Sequence, residues 1–526
     1  MLLAKKPLRL VVQEAEDPNV GEGHGPLKRS LGAFHLTMLG IGGIIGAGIF
    51  SLTGGAAHSY AGPGIALSFA LGGILCTFAG LCYAELAAII PVAGSAYAYA
   101  YTTLGEIFAW VIGWDLILEY AFGSVVVSIA WSGYFLEVLR SLGLPPPDAL
   151  LPFFKGPYEM IALSNGESQA GFFNLPGAFV GLLCGCILYR GVRESAWVNN
   201  IIVALKVAIV LLFVTLGLGL VSEANLVANP SAVGIGQLVP PVETLSADKW
   251  SALDSLFHSW LGYAPTRFGW GFGGVLTGAG VVFFAYIGFD AVSTLAQETK
   301  RPQRDLPIGI LGSLTICTVL YILVALTLTG VVHFSDLGVP APIAVGIDRI
   351  AELRNMSPGM TRAFTSSVKL GALAGLTSVI LVLMLGQTRI FYAMSRDRLL
   401  PWFDATHRHF HTPHVATIVT AGFVSVAAGI LPMALVGELV SIGTLLAFLI
   451  VCAAVPILRK TDPDVPRPFR VRLPWLVGPL GAAACLFVMV GLPPDTWLRL
   501  IVWLMLGFVV YFAYSRKHSR FQKLSP

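Results

Sequence analysis

The chain has 526 residues, of which 56% are hydrophobic and only 12% are charged. A soluble domain carries roughly 25% charged residues, so this composition excludes a disordered chain and argues against a water-soluble enzyme. The formal net charge of +4 gives no reason to expect a nucleic-acid partner. Together with a mean hydropathy of +0.77, these values are typical of a protein that lies in a lipid bilayer.

Long apolar segments predict an all-α integral membrane protein with twelve transmembrane helices. We expect spans near residues 36–54, 64–90, 106–138, 173–190, 197–220, 274–295, 307–332, 370–395, 414–432, 438–458, 474–492 and 496–514. We expect no cleavable signal peptide before the first span, because no apolar stretch of sufficient length precedes a small-residue cleavage site. An even number of spans places both termini on one side. The loops on that side hold 22 Lys and Arg residues against 7 on the other, so the positive-inside rule predicts cytoplasmic termini.

The first and sixth predicted spans each contain a candidate helix break. The run GGIIGAG at 42–48 is too rich in glycine for an uninterrupted helix, and the run FAYIGFD at 284–290 places a glycine shortly before an acid. Spans that are five apart run in opposite directions, as an inverted repeat requires, and matching broken helices indicate a transporter's binding site. The alternative interpretation is that the glycines only allow close helix packing.

One lysine falls at membrane depth. Lys206 follows Trp197 by nine residues in span five, which places it ~13 Å from the cytoplasmic mouth and near the middle of a ~30 Å hydrocarbon core. Burial penalises the charged form of a lysine, so this side chain could gain and lose a proton and is a candidate coupling residue. The alternative, a side chain that snorkels to the interface, is disfavoured by this depth.

Several acids also fall within or beside the spans. Glu119 and Asp115 lie four residues apart on one face of span three. Glu119 is deeper and is the better candidate for an acid that contacts substrate or takes a proton, whereas Asp115 is equally consistent with a structural hydrogen-bond partner. Asp290 follows the break in span six and can contact a cationic ligand group or brace exposed backbone. Glu85 and Arg389, near the cytoplasmic ends of spans two and eight, are expected in salt bridges of a gate or loop.

The two breaks together suit a ligand with adjacent charges of opposite sign. Backbone N–H groups freed in span one suit a carboxylate, because the helix dipole adds to them. Carbonyls freed near Phe284, Ala285 and Ile287 suit an ammonium group. A molecule that carries both groups close together is an α-amino acid. We predict no enzyme, because no nucleophile–base pair or metal constellation occurs in the spans.

We predict no cofactor and no metal site. The seven cysteines lie in apolar runs without a CxxC pair and are expected to be core residues. A histidine cluster in one predicted cytoplasmic loop lacks a cysteine or carboxylate pair to complete a metal site, so its members are expected to be surface residues. These histidines are His407, His409, His411 and His414.

Seven short motifs carry a family resemblance. They are GIGGIIGAGIF at 40–50, PVAGSAY at 91–97, GWDLILEY at 113–120, NNIIVALK at 199–206, FFAYIGFD at 283–290, QET at 297–299 and GQTR at 386–389. Over about residues 30–515 the chain resembles the amino acid–polyamine–organocation superfamily and, within it, the cationic amino acid transporter family. With twelve predicted spans the chain resembles the bacterial-type members of this family, whereas the mammalian members have fourteen spans.

The resemblance implies the leucine-transporter fold, in which two inverted five-helix repeats are followed by two helices. It implies a cytoplasmic N-terminal segment (1–35), a first repeat (36–220), an extracellular loop (221–273), a second repeat (274–458), two further spans (459–514) and a cytoplasmic tail (515–526).

The resemblance also implies roles for single residues. The backbone would hold the substrate carboxylate at Ile44, Gly46, Ala47 and Gly48. The carbonyls that would take the amine are those of Phe284, Ala285 and Ile287. Lys206 would occupy the place where sodium-coupled relatives bind sodium and would reach the span-one backbone near Ile44 and Gly46, which implies proton coupling. Glu119 and Asp290 would recognise the substrate side chain or couple the proton.

We therefore expect a secondary active transporter in the plasma membrane, as in a bacterial inner membrane. It would import amino acids by proton-coupled symport with alternating access, and its partners would be the substrate, the proton and the bilayer; the sequence names no protein partner. The substrate would be cationic, such as arginine or lysine, or would come from a broad range that includes neutral amino acids. Thr377 and Ser378, small residues of span eight, give only weak evidence about the side chain of the substrate. The alternatives are an amino acid exchanger and a membrane amino acid sensor.

Overall fold

Helices make up most of the chain. A computed structural model describes residues 4–8, 10–11, 29–46, 48–92, 94–162, 166–241, 272–339, 341–410, 412–490, 492 and 494–520. In the N-terminal half the α-helices are α1 (Ala33–Ile44), α2 (Thr53–Ala56), α3 (Ile65–Ile89), α4 (Ser95–Thr103), α5 (Glu106–Ile117), α6 (Gly123–Ser141), α7 (Leu175–Arg190), α8 (Val192–Leu218) and α9 (Glu223–Leu226). In the C-terminal half they are α10 (Phe272–Val282), α11 (Pro302–Val331), α12 (Pro342–Leu353), α13 (Pro358–Arg396), α14 (His414–Ile430), α15 (Met433–Thr461), α16 (Pro474–Val490), α17 (Pro494–Val510) and α18 (Arg516–His518).

Tighter and wider helical turns connect these helices. The π-helical turns are Gly48–Leu52, Ala57–Ala61, Leu118–Phe122 and Tyr511–Ser515. The 3₁₀ segments are Gly62–Gly64, Asp148–Phe154, Gly234–Leu238, Phe283–Tyr286, Asp290–Glu298 and Phe334–Leu337. A small antiparallel hairpin, β1 (Met160–Ala162) with β2 (Ser168–Ala170), lies in the connection between α6 and α7.

Much of the helical structure is suited to a bilayer. Within the described residues, eight stretches are long and apolar enough to cross a membrane: Ala33–Ile89, Glu106–Ser141, Asn199–Leu218, Gly273–Glu298, Pro302–Val331, Pro358–Arg396, Leu435–Thr461 and Thr496–His518. Three shorter apolar helices, α7, α14 and α16, have 16, 17 and 17 residues. The chain is a multi-pass membrane protein, and the prediction of a helical membrane protein is confirmed; the hairpin is a small addition to it.

The glycine run of the first span both breaks the helix and allows close packing. α1 ends at Ile44, Ile45 is extended (φ −73°, ψ 97°), and a π-helical turn begins at Gly48. A β-carbon added at Gly46 would lie 2.6 Å from a methyl group of Val379, closer than real β-carbons approach. These glycines therefore both interrupt the helix and allow close packing.

The sixth predicted span is interrupted over a longer stretch. α10 stops at Val282 and is followed by the 3₁₀ segment Phe283–Tyr286, a turn, and the second 3₁₀ segment Asp290–Glu298. Gly288 in the turn has a φ of +113°, a conformation that side chains other than glycine rarely adopt. Because 3₁₀ hydrogen bonds are weaker than α-helical ones, a long 3₁₀ run inside a membrane helix is typical of a hinge or a functional site.

Helix packing brings these interruptions to the centre of the molecule. α11 packs along α1 and α3, α13 packs along α6, and both α8 and α13 contact α1. The described residues of both breaks are buried. The irregular backbone is therefore enclosed by protein, which is where a membrane protein can tolerate it.

Buried ion pairs tie together the helix ends that the sequence predicts to be cytoplasmic. Glu85 of α3 accepts two hydrogen bonds from Arg459 of α15, at 2.9 and 2.6 Å, and a third from the Val471 N–H at 2.7 Å. Arg389 of α13 donates from Nε to Glu298 Oε1 at 2.7 Å. The expectation that Glu85 and Arg389 form salt bridges is confirmed.

We predict that Glu85→Ala lowers the thermal midpoint of unfolding by a few degrees, because it leaves the largely buried Arg459 guanidinium without its acid. Breaking a buried pair in this way costs about 3–5 kcal/mol. The measurement is thermal unfolding of the detergent-purified chain followed by tryptophan fluorescence. Arg140→Ala is the matched control, since it breaks an exposed pair with Glu137 and should change the midpoint little. Equal midpoints for the two variants would contradict the prediction.

Candidate functional site

The broken segments of the first and sixth spans touch each other through their main chains. A β-carbon added at Gly288 would lie 2.8 Å from the carbonyl carbon of Gly43, and one added at Gly48 would overlap Ala285. Only residues without large side chains allow this approach. The backbone groups predicted to hold the two ends of an α-amino acid therefore come from segments that lie side by side.

A tyrosine that the sequence did not single out joins the two breaks. The hydroxyl of Tyr321, on α11, lies 2.5 Å from the carbonyl oxygen of Ile44 and 2.9 Å from that of Ala285. The Phe284 carbonyl accepts a bond from the Ile287 N–H at 3.2 Å. Two of the three carbonyls predicted to take an amine thus already have one partner, and each keeps a second lone pair. No sequence signal separates Tyr321 from the other buried tyrosines.

The start of the π-helical turn offers backbone donors. Gly48 is its first residue, so its N–H belongs to the first turn, where donors have no intrahelical acceptor. Two neighbouring hydroxyl groups donate to carbonyl groups of this turn. Thr53 Oγ1 donates to the Gly48 carbonyl at 3.1 Å, and Tyr134 Oη donates to the Phe50 carbonyl at 2.7 Å. Ala47, which was predicted beside Gly48 for the carboxylate, lies outside the described residues.

Lys206 is fully buried and points at the broken end of α1. Its ammonium donates to the carbonyls of Gly42 and Ile45 at 2.8 and 2.9 Å and to Ser378 Oγ at 2.8 Å. With zero exposure and three inward hydrogen bonds, the side chain does not snorkel to the interface. It satisfies carbonyls that the end of a helix leaves without donors.

The predicted contact of Lys206 with the span-one backbone near Ile44 and Gly46 is confirmed at Ile45, which lies between them. Its carbonyl acceptors are those of Gly42 and Ile45, not those of Ile44 and Gly46. The physical reason is that the other two carbonyls have different donors: Ile44 O lies against the Tyr321 hydroxyl, and Gly46 O accepts the N–H of Phe50 at 3.2 Å.

Asp290 braces the second break. Its Oδ2 accepts a hydrogen bond from the Tyr120 hydroxyl, and its Oδ1 accepts one from the Gly288 N–H at 3.3 Å. Of the two roles that the sequence allowed, these contacts match the bracing of exposed backbone. Tyr120 was not predicted as a site residue, although it directly follows Glu119.

Glu119 is a buried acid that lies against a second acid, Asp290. Neither of its carboxyl oxygens has a hydrogen bond from the described residues, and the group lies beside the Asp290 carboxyl and the Thr444 hydroxyl. An unpaired buried carboxylate is costly, so a proton or a cation at Glu119 would relieve a large penalty. Asp115 also makes no hydrogen bond within the described part of the chain, which does not match a structural hydrogen-bonding role.

The small polar residues of α13 are occupied. Ser378 accepts a hydrogen bond from Lys206 and donates to the Gly375 carbonyl at 2.8 Å. Thr377 accepts a hydrogen bond from Trp131 Nε1 at 2.9 Å. Their contacts thus position neighbouring groups.

Of the four clustered histidines, His411 lies outside the described residues.

Comparison with known proteins defines the class. A family profile described as amino acid permease matches residues 31–511, which is most of the chain. The chain therefore belongs to the amino acid permease family of the amino acid–polyamine–organocation superfamily, as the motifs predicted. It is an amino acid transporter and not an enzyme.

Particular relatives are similar over two thirds or more of their length. The chain is 41% identical over 501 residues to the branched-chain amino acid permease BcaP of Bacillus subtilis, with 95% of each chain covered. It is 38% identical over 523 residues to the methylthioribose transporter of the same organism, with 99% of each covered. It is 37% identical over 440 residues to the cationic amino acid transporter 9, chloroplastic, of Arabidopsis thaliana, with 83% of this chain and 67% of that protein covered.

We predict that Gly48→Ala reduces amino acid uptake about five-fold or more, because overpacking at this contact costs about 1–3 kcal/mol and displaces the break from Ala285. Uptake of labelled amino acids into liposomes that contain the purified variant is the measurement. Gly55→Ala is the matched control, because a β-carbon at Gly55 meets nothing within 4 Å. Normal uptake by Gly48→Ala, or an equal loss in both variants, would refute the role of this contact.

Proposed function

We propose that the chain imports amino acids by proton-coupled symport with alternating access, in the plasma membrane of a bacterial-type cell. The substrate carboxylate binds backbone N–H groups at Gly46, Ala47 and Gly48. The ammonium group binds the free lone pairs of the carbonyls at Ala285 and Ile287 and at the adjoining Phe284. The proposal is supported by the contact between the two broken segments, which brings both sets of backbone groups side by side.

The proposal includes twelve crossings with both termini in the cytoplasm. The stretch Ala33–Ile89 has 57 residues, roughly 85 Å of helix, against a hydrocarbon core of about 30 Å. It turns at Gly62, where φ is +56°, and therefore counts as two crossings. With α7, α14 and α16 added to the eight apolar stretches, the total is twelve.

The proposed arrangement of the chain follows from this count. Residues 36–220 and 274–458 form two inverted repeats, and 459–514 add two helices. Residues 1–35 and 515–526 are cytoplasmic, and 221–273 lie outside. The excess of basic residues in the loops beside the termini supports this orientation.

The observation that carries proton coupling is the bonding of Lys206. A charged ammonium has three N–H donors, and three acceptors surround it: Gly42 O, Ile45 O and Ser378 Oγ. A neutral amine has only two donors, so loss of the proton leaves one acceptor without its bond. Because these acceptors belong to the first and eighth predicted spans, the protonation state of Lys206 sets how firmly the first span is held to the eighth.

Glu119 provides the second protonation site. Its carboxyl group has no hydrogen bond from the described residues and lies beside Asp290, whose own oxygens are used by Tyr120 and Gly288. Protonation of Glu119 removes the repulsion between the two acids. We therefore assign the transported proton to Glu119 and the bracing of the break to Asp290.

The proposed substrate range is broad. The relatives are named for branched-chain amino acids, methylthioribose and cationic amino acids, so this scaffold accepts different side chains. When Glu119 is deprotonated it can balance a cationic side chain, and when it is protonated the site suits a neutral one. Arginine, lysine and neutral amino acids are all candidates. Exchange remains the alternative mechanism, since one binding site open to each side in turn can also swap substrates.

The test is uptake by purified chain in liposomes under three driving forces applied separately: a pH gradient, a sodium gradient, and preloaded internal amino acid. Labelled arginine and leucine serve as probes. We predict accumulation with the pH gradient alone. Accumulation driven only by sodium would refute the role of Lys206, and strict dependence on internal amino acid would establish exchange instead of symport.

We further predict that Lys206→Met lowers uptake driven by the pH gradient about ten-fold or more, because couplings of this kind are worth about 1–3 kcal/mol. Substrate binding, measured by thermal stabilisation, should persist in part. Lys369→Met is the matched control, since Lys369 is also largely buried but lies 3.7 Å from Glu137, away from the breaks. Full accumulation by Lys206→Met would contradict the proposed coupling.

A further inference from the structure

A mixed apolar and cationic pocket lies at the ends of α3 and α16, away from the substrate site. Its volume is about 370 Å³. Leu81 of α3 and Val477 of α16 give it apolar walls, and the lining also includes Arg470 and Arg472, both of which are exposed. Neither the transport site nor its proton coupling uses these residues.

The two arginines carry charge that the surrounding residues do not balance. Glu85 accepts hydrogen bonds from Arg459 and lies 3.7 Å from Arg467, so it already serves two guanidinium groups. Asp462 interacts with Arg467. Within the described residues, neither Arg470 nor Arg472 has a salt-bridge partner. An uncompensated pair of arginines is suited to bind a phosphate group, because each offers several N–H donors in a fixed plane.

The backbone between the arginines is held in place. Val471 is buried, its N–H donates to Glu85 Oε2 at 2.7 Å, and its carbonyl accepts a bond from Arg459 at 2.8 Å. The residues on either side of Val471 therefore start from a fixed position. The fixed main chain keeps both arginines at the pocket.

The neighbouring side chains place this pocket at the edge of the hydrocarbon core. Leu473, Trp475 and Leu476 are 61%, 64% and 52% exposed, although all three are large and apolar. Exposed apolar residues at the start of a membrane helix contact lipid chains, and tryptophan is enriched at the boundary with the headgroups. A ligand that fits here combines an anionic head with an apolar tail.

We propose that this pocket binds a phospholipid with an anionic headgroup. The phosphate contacts Arg470 and Arg472, and the acyl chains lie along the face formed by Leu473, Trp475 and Leu476. Because Val471 links the arginines to the Glu85–Arg459 pair, the bound lipid strengthens the connection between α3, α15 and α16. In the proposed orientation the pocket faces the cytoplasmic leaflet, whose negative lipids attract such basic segments.

The experiment uses the full-length chain purified in detergent and titrated with phosphatidylglycerol, with phosphatidylcholine or with inorganic phosphate. Native mass spectrometry measures the fraction of chains that carry one lipid. We expect phosphatidylglycerol to bind more tightly than phosphatidylcholine, and Arg470→Gln/Arg472→Gln to weaken it about ten-fold or more. Arg516→Gln/Lys517→Gln removes the same charge from exposed residues elsewhere and should leave binding unchanged.

Other outcomes would overturn the proposal. Equal binding of phosphatidylglycerol by wild type and the Arg470/Arg472 variant would refute this site, and an equal loss in the control variant would reduce it to a general charge effect. Complete competition by inorganic phosphate would indicate a site for a free anion. Wild-type chain provides a test that does not depend on variant folding: a photoreactive phosphatidylglycerol should label residues 469–477, and labelling confined to other segments would overturn the assignment.

Discussion

The structure depends on the hydrogen bonds that the carbonyl groups at the broken end of α1 receive inside the membrane. A helix that stops at this depth exposes carbonyl groups that water cannot reach, and a free carbonyl in a low-dielectric interior is costly. Lys206 and Tyr321 meet this need from two other helices, since Lys206 bonds Gly42 and Ile45 while Tyr321 lies against Ile44. Each bond that satisfies the break also ties α8 or α11 to it, so the interruption is a junction of the fold.

Two further charges in the apolar part of the chain also have hydrogen-bond partners. Asp290 is held by Tyr120 and by backbone of its own break, and Arg389 is held by Glu298. Glu119 differs, because none of the described residues donates to it. Compared with Asp290 and Arg389, Glu119 is the group whose protonation depends most on the proton or substrate that enters the site. The contrast separates charges that maintain the structure from a charge that is suited to change.

Local composition was enough to predict the breaks and Lys206. Glycine runs reveal where helix geometry fails, and depth along an apolar span reveals an unusual lysine. Tyr321 and Tyr120 were not predicted, and Ser378 was expected near the substrate side chain and not as a partner of Lys206. Tyrosine and serine are ordinary residues of apolar spans, and their roles depend on which helices become neighbours. The choice of Gly42 and Ile45 over Ile44 and Gly46 likewise depends on a second helix, since Tyr321 lies against the Ile44 carbonyl. Likewise, the partners of Glu85 and Arg389 lie on distant parts of the chain.

The glycine contact between the two breaks has a mechanical consequence. Most helix pairs interlock, with side chains of one seated between those of the other, and such pairs must separate before they can shift. At Gly43 and Gly288 and at Gly48 and Ala285 the surfaces are nearly smooth. Smooth surfaces can slide past one another over short distances while they stay in contact, which is the shear type of motion. The same small residues that allow close approach thus also allow the two broken segments to slide against each other at the centre of the transporter.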